Sequence, residues 1–332
     1  MSCDIENFRK WIRANDLTPI MSVVEDDLEL LTHLDLSKRN IKELPESIGV
    51  LKNLSVLKLS NNKLRKLPNA IGELKNLRNL QCENNLIEEL PSTIGNLSNL
   101  MILNLNVNRL KSLPQEFYNL KSLTRLTLAA NRIESLDVDF KNLSKLLYLS
   151  LETNELEELP DIFESMKQLY YLDLSFNHLV VLPDSLSKIK ELETLVLEGN
   201  TLKELPSLES HDMLIKLDLS DNNLKSLDFD VSKLEDLKIL ILDNNSLKKL
   251  PEEICELKNL TMLSVSSNKL EVLPEMIGNL ENLQELDVED NKLKSIQEST
   301  NNLINLKSLF IDNNNNLKRP KALELEFCDV KK

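Results

Sequence analysis

The stretch LSVLKLSNNKLRKLPNAIGELKN, residues 54–76, is one unit of a pattern that returns along most of the chain. Its first eleven residues read LxxLxLxxNxL, and we number the positions of every repeat from that first leucine. The step between repeats is 23 residues, except for one step of 22. The pattern begins thirteen times, at Leu31, Leu54, Leu77, Leu100, Leu123, Leu146, Leu169, Leu192, Leu214, Leu237, Leu260, Leu283 and Leu306. A fixed period of this length predicts a solenoid in which each repeat buries its apolar side chains against its neighbours.

The leucines at positions 4 and 6 are separated by one residue, which is the side-chain period of a β-strand. Both leucines therefore point to the same side, into the core, and the residue between them faces the other way. We predict one short parallel strand at each such core, from residues 34–36 to residues 309–311. The exposed side of these strands, which carries positions 2, 3, 5, 7 and 8, is called the concave face below.

Position 9 is asparagine in twelve of the thirteen repeats. An amide supplies donors and an acceptor to backbone groups that are freed where the strand turns outward, so these side chains should be buried and bonded to backbone. The prolines that follow a leucine in the second half of the repeat favour turns and short helices on the outer, convex side. The asparagines are Asn62, Asn85, Asn108, Asn131, Asn154, Asn177, Asn200, Asn222, Asn245, Asn268, Asn291 and Asn314.

The convex half also carries the signature LPxxIGxL, at residues 67–74, 90–97 and 273–280. With the LxxLxLxxNxL pattern it resembles the 23-residue intracellular class of leucine-rich repeat proteins, which includes Ras-group scaffolds and bacterial effectors. The resemblance covers about residues 31–320. It implies an α/β solenoid, a right-handed horseshoe with a concave parallel sheet of about 13 strands, and a protein that binds other proteins rather than catalysing a reaction.

The net charge of −14 argues against nucleic acid and anionic membranes as partners. The first residues contain no apolar run of signal-peptide length, so we expect a cytoplasmic protein. A secreted effector without a classical signal peptide is the alternative. Cys3, Cys82, Cys255 and Cys328 stand far apart, which favours reduced thiols, and Cys82 takes the place of a core leucine.

Motifs for catalysis are missing from the sequence. The three histidines fall in different repeats, and HExxH, CxxC and GxSxG do not occur. Five glycines are too few and too scattered for a phosphate-binding loop. We therefore predict no enzyme activity, no cofactor and no metal site.

Residues 1–30 do not fit the repeat and predict a helical N-terminal cap. Ile5, Phe8, Trp11 and Ile12 recur at helical spacing after a candidate cap at Asp4, and a second short helix is expected near residues 18–19. A secretion or partner-docking element is the alternative for this segment.

The division that follows is a cap at 1–30, one repeat domain at 31–320 and a C-terminal cap or tail at 321–332. In the tail, residues 323–327 alternate apolar with acidic and predict an edge strand. Aspartate replaces the usual proline at Asp137 and Asp228, which predicts locally extended convex segments.

Charge is distributed unevenly over the concave positions. The first five repeats carry a net +2 there and the remaining eight a net −9. Tyr148 and Tyr171 occupy position 3 of successive repeats near this change of sign, with Phe176 and Val196 close by. Exposed apolar patches rimmed by charge mark interaction sites, and tyrosine is a frequent hot-spot residue. The opposing interpretation is that the aromatic side chains only stabilise one another along the ladder.

We expect a protein partner with a basic surface. The partner-binding residues predicted are Tyr148, Tyr171, Asp173, Phe176, Val196, Glu198 and Asp218, with the aromatic residues as anchors and Asp173, Glu198 and Asp218 selecting the basic partner. Three kinds of protein fit this pattern: a signalling scaffold, a bacterial effector that binds a host protein, and a structural repeat protein with no evolved partner.

Overall fold

The computed structural model describes residues 3–17, 28–318 and 329–331. They fall into two compact units, Met1–Glu155 and Leu156–Lys332, and each is described by itself. The predicted second helix near residues 18–19 and the predicted edge strand at 323–327 lie outside the described residues. The three-part division of the chain stays a prediction.

In the first unit each repeat contributes one strand, and successive strands pair in parallel at equal motif positions. Leu57 pairs with Leu34 on one side and with Leu80 on the other. The same register continues through the unit, so that each position forms a row. The strands are β1 (His33–Asp35), β2 (Val56–Lys58), β3 (Asn79–Gln81), β4 (Ile102–Asn104), β5 (Arg125–Thr127) and β6 (Tyr148–Ser150).

The second unit repeats this arrangement with seven strands from the repeats and one further strand. The last strand pairs in parallel with the one before it, with Val330 opposite Leu309. The strands are β7 (Tyr171–Asp173), β8 (Thr194–Val196), β9 (Lys216–Asp218), β10 (Ile239–Ile241), β11 (Met262–Ser264), β12 (Glu285–Asp287), β13 (Ser308–Phe310) and β14 (Asp329–Lys331). The predicted solenoid with one strand per repeat is confirmed.

Each strand covers positions 3 to 5, so it begins one residue before the predicted LxL core. Pairing nevertheless continues past the strand, because the N–H of Leu59 at position 6 donates to the carbonyl of Gln81 at 2.7 Å. Leu57 and Leu59 are fully buried, whereas Lys58 between them is exposed. Burying each leucine contributes about 1.5–3 kcal/mol. The predicted register of the leucines is therefore confirmed.

The asparagines at position 9 form the predicted ladder, since all twelve are 3–8% exposed. Asn62 shows the pattern: its Oδ1 accepts from the N–H groups of Arg39 and Ile41, both at 3.0 Å. Its Nδ2 donates to the carbonyls of Leu36 and Leu59, both at 2.8 Å. One amide thus joins two repeats and satisfies backbone groups that the turn leaves without partners.

Position 8 of every repeat has a left-handed backbone, with φ between 51° and 66°. Asparagine, aspartate and glycine tolerate this region best, and seven of the thirteen residues there are of these types. The bulky or β-branched exceptions are Val107, Thr153 and Phe176. The preference for Asn, Asp and Gly at this position is a signal that the sequence analysis missed.

The convex side consists largely of short 3₁₀ helices, as predicted, and half of them directly follow a proline. Their bounds are Leu28–Leu30, Glu46–Val50, Asn69–Glu73, Ser92–Asn96, Gln115–Asn119 and Val138–Asn142 in the first unit. In the second unit they are Phe163–Ser165, Asp184–Lys188, Val231–Lys233, Glu252–Glu256, Ile277–Asn279 and Glu298–Asn302.

The predicted extended segment at Asp137 is wrong, because the helix Val138–Asn142 begins directly after it. Asp137 caps this helix by accepting from the N–H of Asp139 at 2.8 Å. The segment at Asp228 is also shorter than predicted, because Asp230 caps a helix that begins at Val231. Aspartate therefore replaces proline as a helix cap.

Within the predicted N-terminal cap, helix α1 (Cys3–Ala14) packs against the 3₁₀ helix Glu46–Val50. Phe8 and Ile12 are buried, and Trp11 stacks on Phe8 with ring centroids 5.7 Å apart. Asp4 lies inside the first turn rather than before it. None of the helices in the described part of the chain is long and apolar enough to cross a membrane.

His211 stands where other repeats carry a buried leucine, because its backbone bonds to Leu208 and Leu214 match those of Leu234 to Val231 and Leu237. It is fully buried, with its two ring nitrogens 3.1 and 3.2 Å from the carbonyls of Leu208 and Leu186. Burial lowers the pKa of this imidazole, although the two carbonyls oppose the shift. The side chain therefore joins two convex segments inside the second unit.

Candidate functional site

The concave positions of the two units differ in charge. In the first unit four basic residues stand against three acidic ones, for a net +1. In the second unit eleven acidic residues stand against three lysines, for a net −8. The acidic face predicted from the sequence thus belongs to the second unit, and so do all predicted site residues except Tyr148.

Tyr148, in the first unit, is already engaged by a cation. The guanidinium carbon of Arg125 on the neighbouring strand lies 3.6 Å from the centre of its ring. Such cation–π contacts contribute about 0.5–1 kcal/mol at exposed sites. This contact supports the ladder-stabilising interpretation for Tyr148, and its role as an anchor stays a prediction.

Tyr171 begins β7 in the second unit and is half-buried. Its hydroxyl donates to Oδ2 of Asp173 at 3.2 Å. Oδ1 of the same carboxylate accepts from both the N–H and the hydroxyl of Ser175, at 3.0 and 2.6 Å. Asp173 therefore ties the Tyr171 side chain to the turn that follows the strand.

Asp218, two strands further along, has the same kind of environment. Its Oδ1 accepts from the hydroxyl of Ser220 at 2.6 Å, and its Oδ2 lies 3.3 Å from Nζ of Lys216. Asp173 is 8% exposed and Asp218 is 5% exposed. Both aspartates are therefore largely buried, and each carboxylate braces its own turn, while their role in selecting a basic partner stays a prediction.

The sequence contained a signal for this bracing. The letters DLS occur at residues 35–37, 173–175 and 218–220, always at positions 5 to 7. An aspartate followed two residues later by a serine commonly accepts from the backbone N–H at that point. The N–H of Ser37 indeed donates to Asp35 at 2.9 Å.

Val196 is also less accessible than predicted. It lies between Asp173 and Asp218 in the strand ladder and is buried. The structure brings Val196 together with the two aspartates, but as a packed row rather than as an exposed apolar contact.

Phe176 is the predicted site residue that is most open to solvent, at 46% exposure. It occupies position 8, with φ of 52°. Its ring lies against Gly199 so closely that a Cβ built there would be 2.6 Å from Cδ1 of the ring. The missing side chain of Gly199 therefore leaves the space that the Phe176 ring occupies.

Glu198 lies directly before Gly199 and is half-buried. Burial raises the pKa of its carboxyl, and the nearby charges of Asp218 and Asp221 raise it further. Lys216 opposes this shift. The raised pKa of Glu198 indicates an excess of negative charge around it.

A second acidic group, which the sequence analysis did not single out, lies around β12. Burial together with Asp243, Glu289 and Glu285 raises the pKa of Asp287 to about 6. Asp243 is held by Ser264 Oγ, at 2.7 and 2.8 Å from its two oxygens. Within the described residues, no group of three or more His, Cys, Asp or Glu side chains is arranged to hold a metal ion.

Two cysteines, Cys82 and Cys255, are core residues. Cys82 and Cys255 are free and buried, and burial raises the pKa of both thiols, that of Cys255 to about 11. A thiol with a raised pKa is a poor nucleophile at neutral pH. Cys82 therefore acts as a small apolar side chain, as predicted.

Comparison with known families identifies the repeats. The family description "Leucine-rich repeat region" matches residues 22–104, 53–159 and 213–328, and "Leucine rich repeat" matches residues 160–202. No curated protein sequence matches the chain.

Solved structures show the same fold. A leucine-rich repeat protein of Leptospira interrogans is 33% identical, with a TM-score of 0.77, over 91% of this chain and 90% of its own. The functional domain of InlJ from Listeria monocytogenes is 26% identical, with a TM-score of 0.76, over 87% of this chain and 60% of its own. Drosophila Toll, solved in complex with Spätzle, is 26% identical, with a TM-score of 0.69, over 87% of this chain and 45% of its own.

Proposed function

The chain belongs to the leucine-rich repeat family, and from this membership we propose that it is a protein-binding module whose partner docks on the concave face. The leucines and asparagines account for the stability of each unit, so the concave side chains are free to vary with function. The solved complex of Toll with Spätzle is one example of a protein of this fold that binds a protein.

The observation that carries the proposal is the pair Tyr171 and Phe176 on the acidic concave face of the second unit. Tyr171 is half-buried and held by Asp173, while Phe176 offers an exposed ring. Rigid aromatic side chains held by their neighbours lose little entropy on binding, which is a property of hot-spot residues. The net charge of −8 on this face favours a partner with a basic surface.

The burial of the predicted residues decides the role that each one has in this proposal. The floor of the proposed site is the packed row Asp173, Val196 and Asp218. The carboxylates of Asp173 and Asp218 act on the partner through their charge rather than by direct contact. Glu198 and the exposed Asp221 are the outer charges.

The experiment is affinity capture followed by binding kinetics with the purified partner. Tyr171→Ala should weaken binding by about 2 kcal/mol or more, mainly through faster dissociation. Met276→Ala, an exposed change on the convex side of the same unit, is the matched control and should leave the affinity unchanged. Equal affinities for Tyr171→Ala and wild type would refute the concave face of the second unit as the site.

The convex signature LPxxIGxL supports the 23-residue intracellular class, and with it a place of action in the cytoplasm. The alternative is a secreted effector that binds a host protein. Fractionation of the source cells and their medium separates the two. Deleting residues 1–30 is a poor test of secretion, because it removes Phe8 and Ile12 from the apolar core. Substitution of Lys10 and Arg13, which are exposed on α1, leaves that core intact and is the better test of secretion.

A further inference from the structure

Phe176 is an unusual residue for its place in the repeat. A left-handed backbone costs a side chain with a Cβ about 1–2 kcal/mol, and the other residues at position 8 of this unit are glycine, aspartate, asparagine and serine. The ring is nevertheless 46% exposed, so burial does not account for its presence. Among the described residues, no aromatic ring or cation stacks on it.

The position of the ring is set by the next repeat. One face of Phe176 lies on Gly199, where any side chain would collide with it. The backbone N–H of Phe176 also donates to the carbonyl of Glu198 at 2.7 Å. The ring is therefore held against the Glu198–Gly199 peptide, with its opposite face toward solvent.

The charge around Glu198, whose backbone lies beside this ring, is negative and poorly compensated. Asp218, Asp221 and Asp173 act on the carboxylate of Glu198, and Lys216 is the basic residue that opposes them. Lys216 is itself paired with Asp218 at 3.3 Å. The face of an aromatic ring also carries partial negative charge. The carboxylates and the ring thus attract the same kind of group, a cation.

We propose that the outer face of Phe176 and the carboxylate of Glu198 form a subsite that receives an arginine side chain of the protein partner. A guanidinium is planar and weakly hydrated, so it stacks on a ring while its N–H groups bond a carboxylate at the edge. An ammonium group of lysine makes the ionic contact without the stacking. This inference rests on the proposed function and names the chemistry that the partner brings to this part of the face.

The test uses a small probe, so that it does not depend on finding the partner. The isotope-labelled full chain is titrated with N-acetyl-arginine amide and followed by NMR. N-acetyl-citrulline amide, a neutral molecule of nearly the same shape, and N-acetyl-lysine amide are the comparison probes. The signals of Phe176, Glu198 and Gly199 should shift and saturate with the arginine probe. The lysine probe should bind about two- to fivefold more weakly, as expected from the lost stacking.

Variants assign the binding to the two side chains. Phe176→Leu keeps an apolar side chain but removes the ring face. It should lower the affinity for the arginine probe about two- to fivefold. Glu198→Gln should weaken it by a similar factor of about two to five and remove the advantage over citrulline. Val107→Leu and Glu83→Gln change the same motif positions in the first unit and should have no effect.

The subsite is refuted if arginine and citrulline probes shift the three signals equally, or if Phe176→Leu and Glu198→Gln leave arginine binding unchanged. The proposed function would still stand after that result if Tyr171→Ala weakens binding of the captured partner. If instead the partner's affinity is indifferent to Tyr171→Ala and Phe176→Leu alike, the proposed function fails, and the subsite loses its role in partner binding.

Discussion

Replacing Asn245 by alanine tests the part of the structure on which the stability of the second unit most depends. The Oδ1 of Asn245 accepts from the N–H of Leu224 at 2.9 Å. Its Nδ2 donates to the carbonyls of Leu219 and Leu242 at 2.9 and 3.1 Å. Truncation leaves these three buried backbone groups without their partner. At about 1 kcal/mol for each lost bond, the free energy of unfolding should fall by about 3 kcal/mol.

Asn244→Ala is the matched control, because it removes an exposed amide from the adjacent position and leaves the ladder intact. It should cost about 1 kcal/mol or less. Urea unfolding followed by circular dichroism measures both variants, and native-state hydrogen exchange should show faster exchange at the Leu224 N–H in Asn245→Ala alone. If the two variants are equally stable, the asparagine ladder does not hold the repeats together as described.

Two further changes test the site and the convex side. The pKa of Asp287 in the folded state is about 6, above its ordinary value of 3.8. Between these two values the folded state binds more protons than the unfolded state. Ionisation of Asp287 therefore destabilises the folded state as pH rises through 6. Asp287→Asn should therefore be more stable than wild type in urea unfolding at pH 7.5, and the difference should shrink by pH 5; a difference independent of pH would contradict the shift. Asp137→Pro should cost about 1 kcal/mol by thermal or urea unfolding, although φ of −77° suits proline, because the cap to Asp139 is lost. Asp137→Asn keeps a side-chain oxygen at the cap and should cost less, and an equal loss would contradict the capping role of Asp137.

Much of the fold could be predicted from the sequence because its determinants are repeated. The burial of Leu57 and Leu59 follows from a period of two, and the burial of Asn62 follows from the need to satisfy a turn. Each determinant returns in nearly every repeat, so an exceptional residue in one repeat does not obscure the pattern. The left-handed backbone at position 8 was equally visible in principle, in residues such as Asn61 and Gly199.

The site was harder to predict because it depends on departures from the repeat. Motif position places Asp173 on the concave face, but it does not show that Ser175 and Tyr171 cover it. The direction of the Phe176 ring depends on its backbone angle and on a glycine 23 residues later. The helix after Asp137 depends on the cap that the Asp137 carboxylate makes to the N–H of Asp139, which strand register alone does not indicate.

A protein partner that docks on the concave face of the second unit, as proposed, should protect the backbone of that face from solvent. Hydrogen–deuterium exchange of the chain with and without its purified partner measures this protection along the backbone of every repeat. We expect slower exchange confined to the segments 170–176, 193–199 and 215–221, with the convex 3₁₀ helices and α1 unchanged. Protection found on α1 or on the convex helices, with none in those three segments, would contradict it.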